Sequence, residues 1–222
     1  MCIESFMMQK YKKNMKRAYS PKEIAAKKWV TLPWNEKWSK PFGFPAENAS
    51  WFISGASASG KSSFVMQLGK ELCNYGTVLY MSYEEKINQS FQRRMGYLKM
   101  NEVQGKFRVV TEGSLEEVIA RLKKPKSPKF IIIDSFQVAR WDYPQAVELM
   151  ETFPKKCFIW ISQEKKSQPM GGGAVRLKYI CDMKIRVVGY KAYCQGRAIG
   201  DPGSYYVVWE DGIIQTSNNL PK

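Results

Sequence analysis

A chain of 222 residues, 44% of them hydrophobic, is long enough for one α/β domain with a sizeable core and a short extension. A formal net charge of +15 favours polyanionic partners, and the absence of histidine excludes any mechanism built on a histidine base. The five cysteines, Cys2, Cys73, Cys157, Cys181 and Cys194, are scattered without a CxxC pair. That pattern argues against zinc and for a reducing, cytoplasmic setting, and neither a membrane-spanning run nor a signal peptide is expected.

Residues 1–45 read as a basic, aromatic-rich N-terminal extension. Lys10, Lys12, Lys13, Lys16 and Arg17 form a basic run interleaved with Tyr11 and Tyr19. Ser20-Pro21-Lys22-Glu23 predicts a helix start, with Ser20 as cap and Glu23 closing a capping box. Trp29, Trp34, Trp38, Phe42 and Phe44 follow. That aromatic density predicts packing onto the core or onto a neighbouring subunit rather than a free tail.

From residue 46 to 222 the pattern is that of an α/β domain. Trp51 to Ser54 is a short buried strand, and a helix is predicted from Lys61 to Tyr75, where Phe64, Leu68 and Leu72 recur every four residues. Thr77–Met81 and Phe107–Thr111 are strands. Ile87, Phe91 and Met95 stripe a helix between them, and Ser114 and Glu117 form a second capping box. Phe130–Ile133 and Phe158–Ile161 are continuously apolar, as strands at the middle of a parallel sheet must be. Pro144 to Phe153 is helical. Beyond Asp182, strands are expected at 184–189, 192–199 and 205–209, with Asp211-Gly212 as a hairpin turn into Ile213-Ile214.

Between the first strand and helix, Gly55-Ala56-Ser57-Ala58-Ser59-Gly60-Lys61-Ser62, with Ser63 beside it, fits the phosphate-binding pattern G-x-x-x-x-G-K-S/T. Glycines at 55 and 60 permit close backbone approach, and successive amides with the helix N-terminus make an anion cradle. Lys61 would reach the β- and γ-phosphates of ATP, and the Ser62 hydroxyl would ligate Mg²⁺. Asp134, at the end of an apolar strand, is the second candidate for the metal. Glu84 and Glu85 end the strand 77–81, and either could deprotonate a lytic water. Gln163 could sense the γ-phosphate.

The order GASASGKS, LYMSYEE, FIIIDSFQ, IWISQ resembles the RecA-type P-loop ATPase core, most of all its RadA/Sms, DnaB and KaiC branches, over about residues 45–210. The resemblance implies a three-layer α/β fold with a mainly parallel sheet and antiparallel C-terminal strands. It puts the catalytic glutamate at Glu84, with Glu85 the alternate, and makes Gln163 the coupler to a mobile DNA-binding loop, 164–173. In that loop Lys165, Lys166, Gly171, Gly172 and Gly173 would contact phosphates. A K-x-R pair that reaches the neighbour's nucleotide in relatives is matched by Gln195-Gly196-Arg197, which keeps only the arginine. Lys184-Ile185-Arg186 has the full pattern one strand earlier.

The function so implied is ATP hydrolysis by a ring or filament of identical subunits acting on DNA, single strands preferred, in recombination, repair or replication. Core-only recombination ATPases of phages and mobile elements are similar. A nucleotide-gated regulator or loader whose client is a protein is the alternative, and a phosphotransferase with the same loop is a third reading.

Overall fold

The computed structural model describes residues 18–196 and 200–218, with side chains to residue 214. The basic run 10–17 and Tyr11, and Arg197 with its two successors, lie outside the described residues.

The chain forms two units, Met1–Val30 and Thr31–Lys222. In the first, α1 (Pro21–Ala25) starts at the predicted capping box: the Ser20 side chain accepts from the Glu23 amide, and the Glu23 carboxylate accepts from the Ser20 amide. Lys27 lies 3.7 Å above the Tyr19 ring.

The second unit begins with α2 (Glu36–Phe42) and then alternates strand and helix. In chain order the elements are β1 (Trp51–Gly55), α3 (Lys61–Leu72), β2 (Val78–Ser82), α4 (Gln89–Tyr97), β3 (Phe107–Val110), α5 (Leu115–Lys123) and β4 (Phe130–Asp134). There follow α6 (Phe136–Ala139), α7 (Tyr143–Thr152), β5 (Cys157–Lys165), β6 (Gln168–Pro169), α8 (Gly172–Ile180), β7 (Met183–Val188), β8 (Lys191–Gly196), β9 (Tyr206–Val207) and α9 (Glu210–Asn218).

The strands line up as β3-β2-β4-β5-β1-β7-β8-β9. Pairing is parallel from β3 to β7, and β8 and β9 are antiparallel. This is the expected α/β class. Strand alternation sends Ile53, Tyr80 and Ile132 to one face, where they meet Phe64, Leu68 and Leu72 of α3. Phe52, Ile131 and Ile133 go to the other face, against α5, α7 and α8. Of the aromatics expected to pack, Trp34, Trp38 and Phe42 join the first of these clusters, whereas Trp29 and Phe44 are exposed. Trp38 stacks on Tyr206 at 4.3 Å, and Trp34 donates its Nε1 proton to the Gly43 carbonyl at 2.6 Å.

Two expectations are corrected. The segment 164–173 is not a loop: β5 runs on to Lys165, a two-residue turn at Lys166 and Ser167 reverses it into β6, and α8 begins at Gly172. Both turn residues have positive φ, as a tight hairpin whose twist matches its strands requires, but neither is the Gly or Asn that would announce it. Asp211-Gly212 is likewise not a hairpin turn but lies in the first turn of α9. Acidic Glu210 and Asp211 suit a helix N-terminus. Gly212 is glycine because a Cβ there would run into the Trp209 and Tyr190 rings. Among the described residues no helix is long and apolar enough to cross a membrane.

Candidate active site

In a sheet of this kind, ligands bind beyond the carboxyl ends of the strands. β5 lies between β1 and β4, and β2 borders β4. The register pairs Gly55 with Gln163 and Ser82 with Asp134, so the ends of four strands converge on one rim.

At that rim the phosphate-type loop leaves β1. Gly60 caps α3 with φ +95°, and Ala58 is also left-handed at φ +58°. A Cβ on Gly55 would meet the Val187 carbonyl oxygen and the Ser59 Oγ. Lys61 is buried, and its Nζ donates to the Ala56 carbonyl at 3.0 Å, folding the ammonium back across the loop. The buried Ser59 hydroxyl has no hydrogen-bond partner among the described residues. Ser62 and Ser63 occupy the first turn of α3, whose amides have no intrahelical acceptors.

Asp134 is almost wholly buried at the end of β4. Burial pushes its carboxyl up to about 6; the Tyr80 hydroxyl, donating to Oδ2 at 2.5 Å, and Lys61 oppose this, while Glu84 and Glu85 add to it. The Asp134 carbonyl accepts from the Tyr83 and Glu84 amides at 2.7 and 3.0 Å, which clamps the exit of β2 onto the end of β4.

That clamp separates the two glutamates. Glu84 is exposed and accepts from Gln163 Nε2 at 2.8 Å across the ends of β2 and β5. Glu85 faces α4 instead, paired with Arg94 at 2.7 Å and bonded to the Ser90 hydroxyl at 2.8 Å. Burial opposes ionisation of Glu85, but the Arg94 and Ser90 bonds outweigh it and hold the carboxyl below its ordinary range.

No protein-family model matches the chain. DNA repair protein RadA of Streptococcus pyogenes is 33% identical over 85 residues, which is 38% of this chain and 18% of RadA. RadA of Streptococcus pneumoniae matches equally well, over 19% of its length. The matched stretch is thus less than a fifth of these relatives. Among solved structures, flagellar accessory protein FlaH of Methanocaldococcus jannaschii superposes with TM-score 0.57 at 17% identity, covering 81% of this chain and 92% of FlaH. A KaiC-like protein of Pyrococcus horikoshii gives 0.54 at 18% identity, over 72% and 84%. The second unit has the RecA-type P-loop ATPase fold.

Within this RecA-type core, the predicted Gly55–Ser63, Glu84, Asp134 and Gln163 gather at one rim, while Glu85 joins the ion pair on α4. Lys165 and Lys166 are exposed on the β5–β6 hairpin, and Gly171–Gly173 lead into α8. Arg186 does not project freely: its Nε donates to Glu164 at 3.1 Å, and the same buried carboxylate accepts from the Ser54 hydroxyl at 2.8 Å.

Several residues at the rim carry no sequence motif. Tyr80 stands in the apolar strand β2 two places before Ser82, and alternation alone would aim it along the face of Asp134. Gln137 was visible in DSFQ without a role. It donates to the Ser162 hydroxyl and the Met170 carbonyl, each at 2.8 Å, and ties α6 to both β5 and the hairpin. Tyr190 sits in the β7–β8 turn. Its amide donates to the Ser59 carbonyl at 3.1 Å, and its ring covers Gly60.

Proposed function

We propose that the chain is a Mg²⁺-dependent ATPase acting on DNA, single strands preferred, in recombination, repair or replication in the cytoplasm. The observation that carries the catalytic part is the Glu84–Gln163 hydrogen bond, which spans the rim beside Lys61 and Asp134. Lys61 would exchange its Ala56 carbonyl for the β- and γ-phosphate oxygens, and the loop amides and Ser59 hydroxyl would complete the cradle. A hydroxyl and a carboxylate suit a hard cation, so Ser62 and Asp134 are the residues to hold Mg²⁺. The crowding of Asp134 by Glu84 and Glu85 is the electrostatic environment that a divalent cation relieves. Held by these two residues, the metal would supply positive charge against the phosphate charge that develops in the reaction.

Glu84 then accepts the proton of the attacking water, since its carboxylate bonds a neutral amide and Glu85 is engaged by Arg94. Gln163 orients Glu84 and passes the state of the γ-phosphate to the hairpin bearing Lys165 and Lys166. The Gly171–Gly173 backbone would approach DNA phosphates closely. Arg197 is proposed to supply charge to the site of a neighbouring subunit in a ring or filament. The net charge of +15 and the RadA match support DNA as the substrate.

A second reading has a protein client, with ATP setting the assembly state. It is favoured by the superposition on FlaH, a flagellar accessory protein.

ATP turnover titrated with single- and double-stranded DNA across salt tests the proposal. Single strands are expected to raise turnover, less so as salt increases, and Lys61→Ala is expected to lower it by about a hundredfold or more. Turnover indifferent to DNA at low salt would remove the DNA reading. Assembly that responds to an ATP analogue but not to oligonucleotide would favour the protein client.

A further inference from the structure

The sheet is not covered alike along its width. The cluster under α5, α7 and α8 takes side chains from β1, β2, β4 and β5, but none from β7, β8 or β9. Those three strands send Met183, Ile185, Val187, Ala192 and Tyr206 to the opposite, filled face. Their alternate residues therefore line an uncovered face among the described residues of this unit. It carries Arg186, Val188, Lys191, Tyr193 and Tyr205, all partly or well exposed. Register brings the aromatic pair together: Lys191 opposes Val207, so Tyr193 and Tyr205 stand side by side, with ring centroids 5.4 Å apart. Lys191 holds its ammonium 4.5 Å above the Tyr205 ring.

We propose that this open face of β7, β8 and β9 binds single-stranded DNA, with Tyr193 and Tyr205 stacking on bases and Lys191 holding a phosphate. The inference rests on the reading of DNA as the substrate and adds a site to it. Paired rings on an uncovered sheet face, flanked by a cation, suit an occupant with flat apolar faces and a regular negative charge. Unpaired bases on a phosphate chain have both, whereas a duplex has its bases already stacked. Glu164, bonded to Arg186, is buried, so the two charges offset each other and Lys191 is left as the cation beside the rings. Lys165 and Lys166, the residues after Glu164, are exposed on the β5–β6 hairpin. The β7–β8 turn also places Tyr190 on the phosphate-type loop, so the strands that form this face touch the nucleotide site.

The test is binding of a fluorescent oligothymidylate to the full chain with Tyr193→Ala and Tyr205→Ala combined. The affinity is expected to fall about tenfold or more, with ATP-analogue binding unchanged, while the corresponding Tyr→Phe pair keeps wild-type affinity. Undiminished binding by a folded alanine variant would overturn the proposal, as would an equal loss of affinity for heparin, a polyanion without bases. If the alanine variant does not fold, photocrosslinking of iododeoxyuridine-substituted oligonucleotide to the wild type decides. Crosslinks at Tyr193 or Tyr205 support the site, and crosslinks confined to other segments contradict it. Wild-type protein without affinity for the oligonucleotide removes both this site and the DNA reading, whereas binding that ignores the tyrosines removes this site alone.

Discussion

In β1, β2 and β4 every residue is buried, while in β7 buried residues alternate with partly or well exposed ones. The first group is enclosed by helices on both faces, so its polar groups are displaced to the strand ends. There β1, β4 and β2 contribute Gly55, Asp134 and the clamp that positions Glu84. Among the described residues, β7 with β8 and β9 has one face free of helices and carries polar groups and aromatics along it. One sheet thus offers two kinds of surface: a rim where enclosed strands end in polar groups, and a face that carries polar side chains and aromatics along its strands.

Stability measurements can break or sharpen this contrast. Ile132→Ala, in the doubly covered part, is expected to cost about 2–5 kcal/mol in urea unfolding, because a fully buried side chain leaves a cavity. Gly212→Ala is expected to cost about 1–3 kcal/mol, since the added methyl must displace the Trp209 or Tyr190 ring. At the rim the sign reverses. The folded Asp134 carboxyl keeps its proton up to about pH 6, whereas an unfolded aspartate releases it near ~3.9. Its contribution to stability is therefore full below about pH 4 and is lost as pH rises through about 6. Asp134→Asn should stabilise the protein in EDTA at pH 7 by about 1–2 kcal/mol, and the gain should vanish by pH 4. A gain that persists at pH 4 would contradict the burial account. Val188→Ala, on the uncovered face, should change stability by no more than about 0.5 kcal/mol, and a loss near that of Ile132→Ala would show that the face is covered.

The enclosed strands and the loop at 55–63 were legible from the sequence because continuous apolar runs and glycine spacing are local signals. Asp134 and Gln163 were legible for the same reason, each ending such a run. What escaped depends on register or on contacts distant in sequence. Nothing local distinguishes Glu84 from Glu85; the difference comes from Arg94, nine residues on in α4, and from the amides clamped by Asp134. The hairpin at 166–167 uses lysine and serine at positive φ, so its turn left no glycine mark. Asp211-Gly212 misled in the opposite way, because Gly212 answers to the Tyr190 and Trp209 rings rather than to a turn. The pairing of Tyr193 with Tyr205 exists only once β8 and β9 are in register.

The central claim is that Glu84, held by Gln163, is the base for ATP hydrolysis and that Glu85 is structural. Steady-state ATP turnover of Glu84→Gln and Glu85→Gln, measured together with ATP-analogue binding, tests it most directly. The account predicts a fall of about 10²–10⁴-fold for Glu84→Gln with binding retained. For Glu85→Gln it predicts turnover within a few-fold of wild type and a small loss of stability from the broken Arg94 pair, about 1 kcal/mol or less. The reverse ranking, or near-normal turnover in both variants, would contradict it.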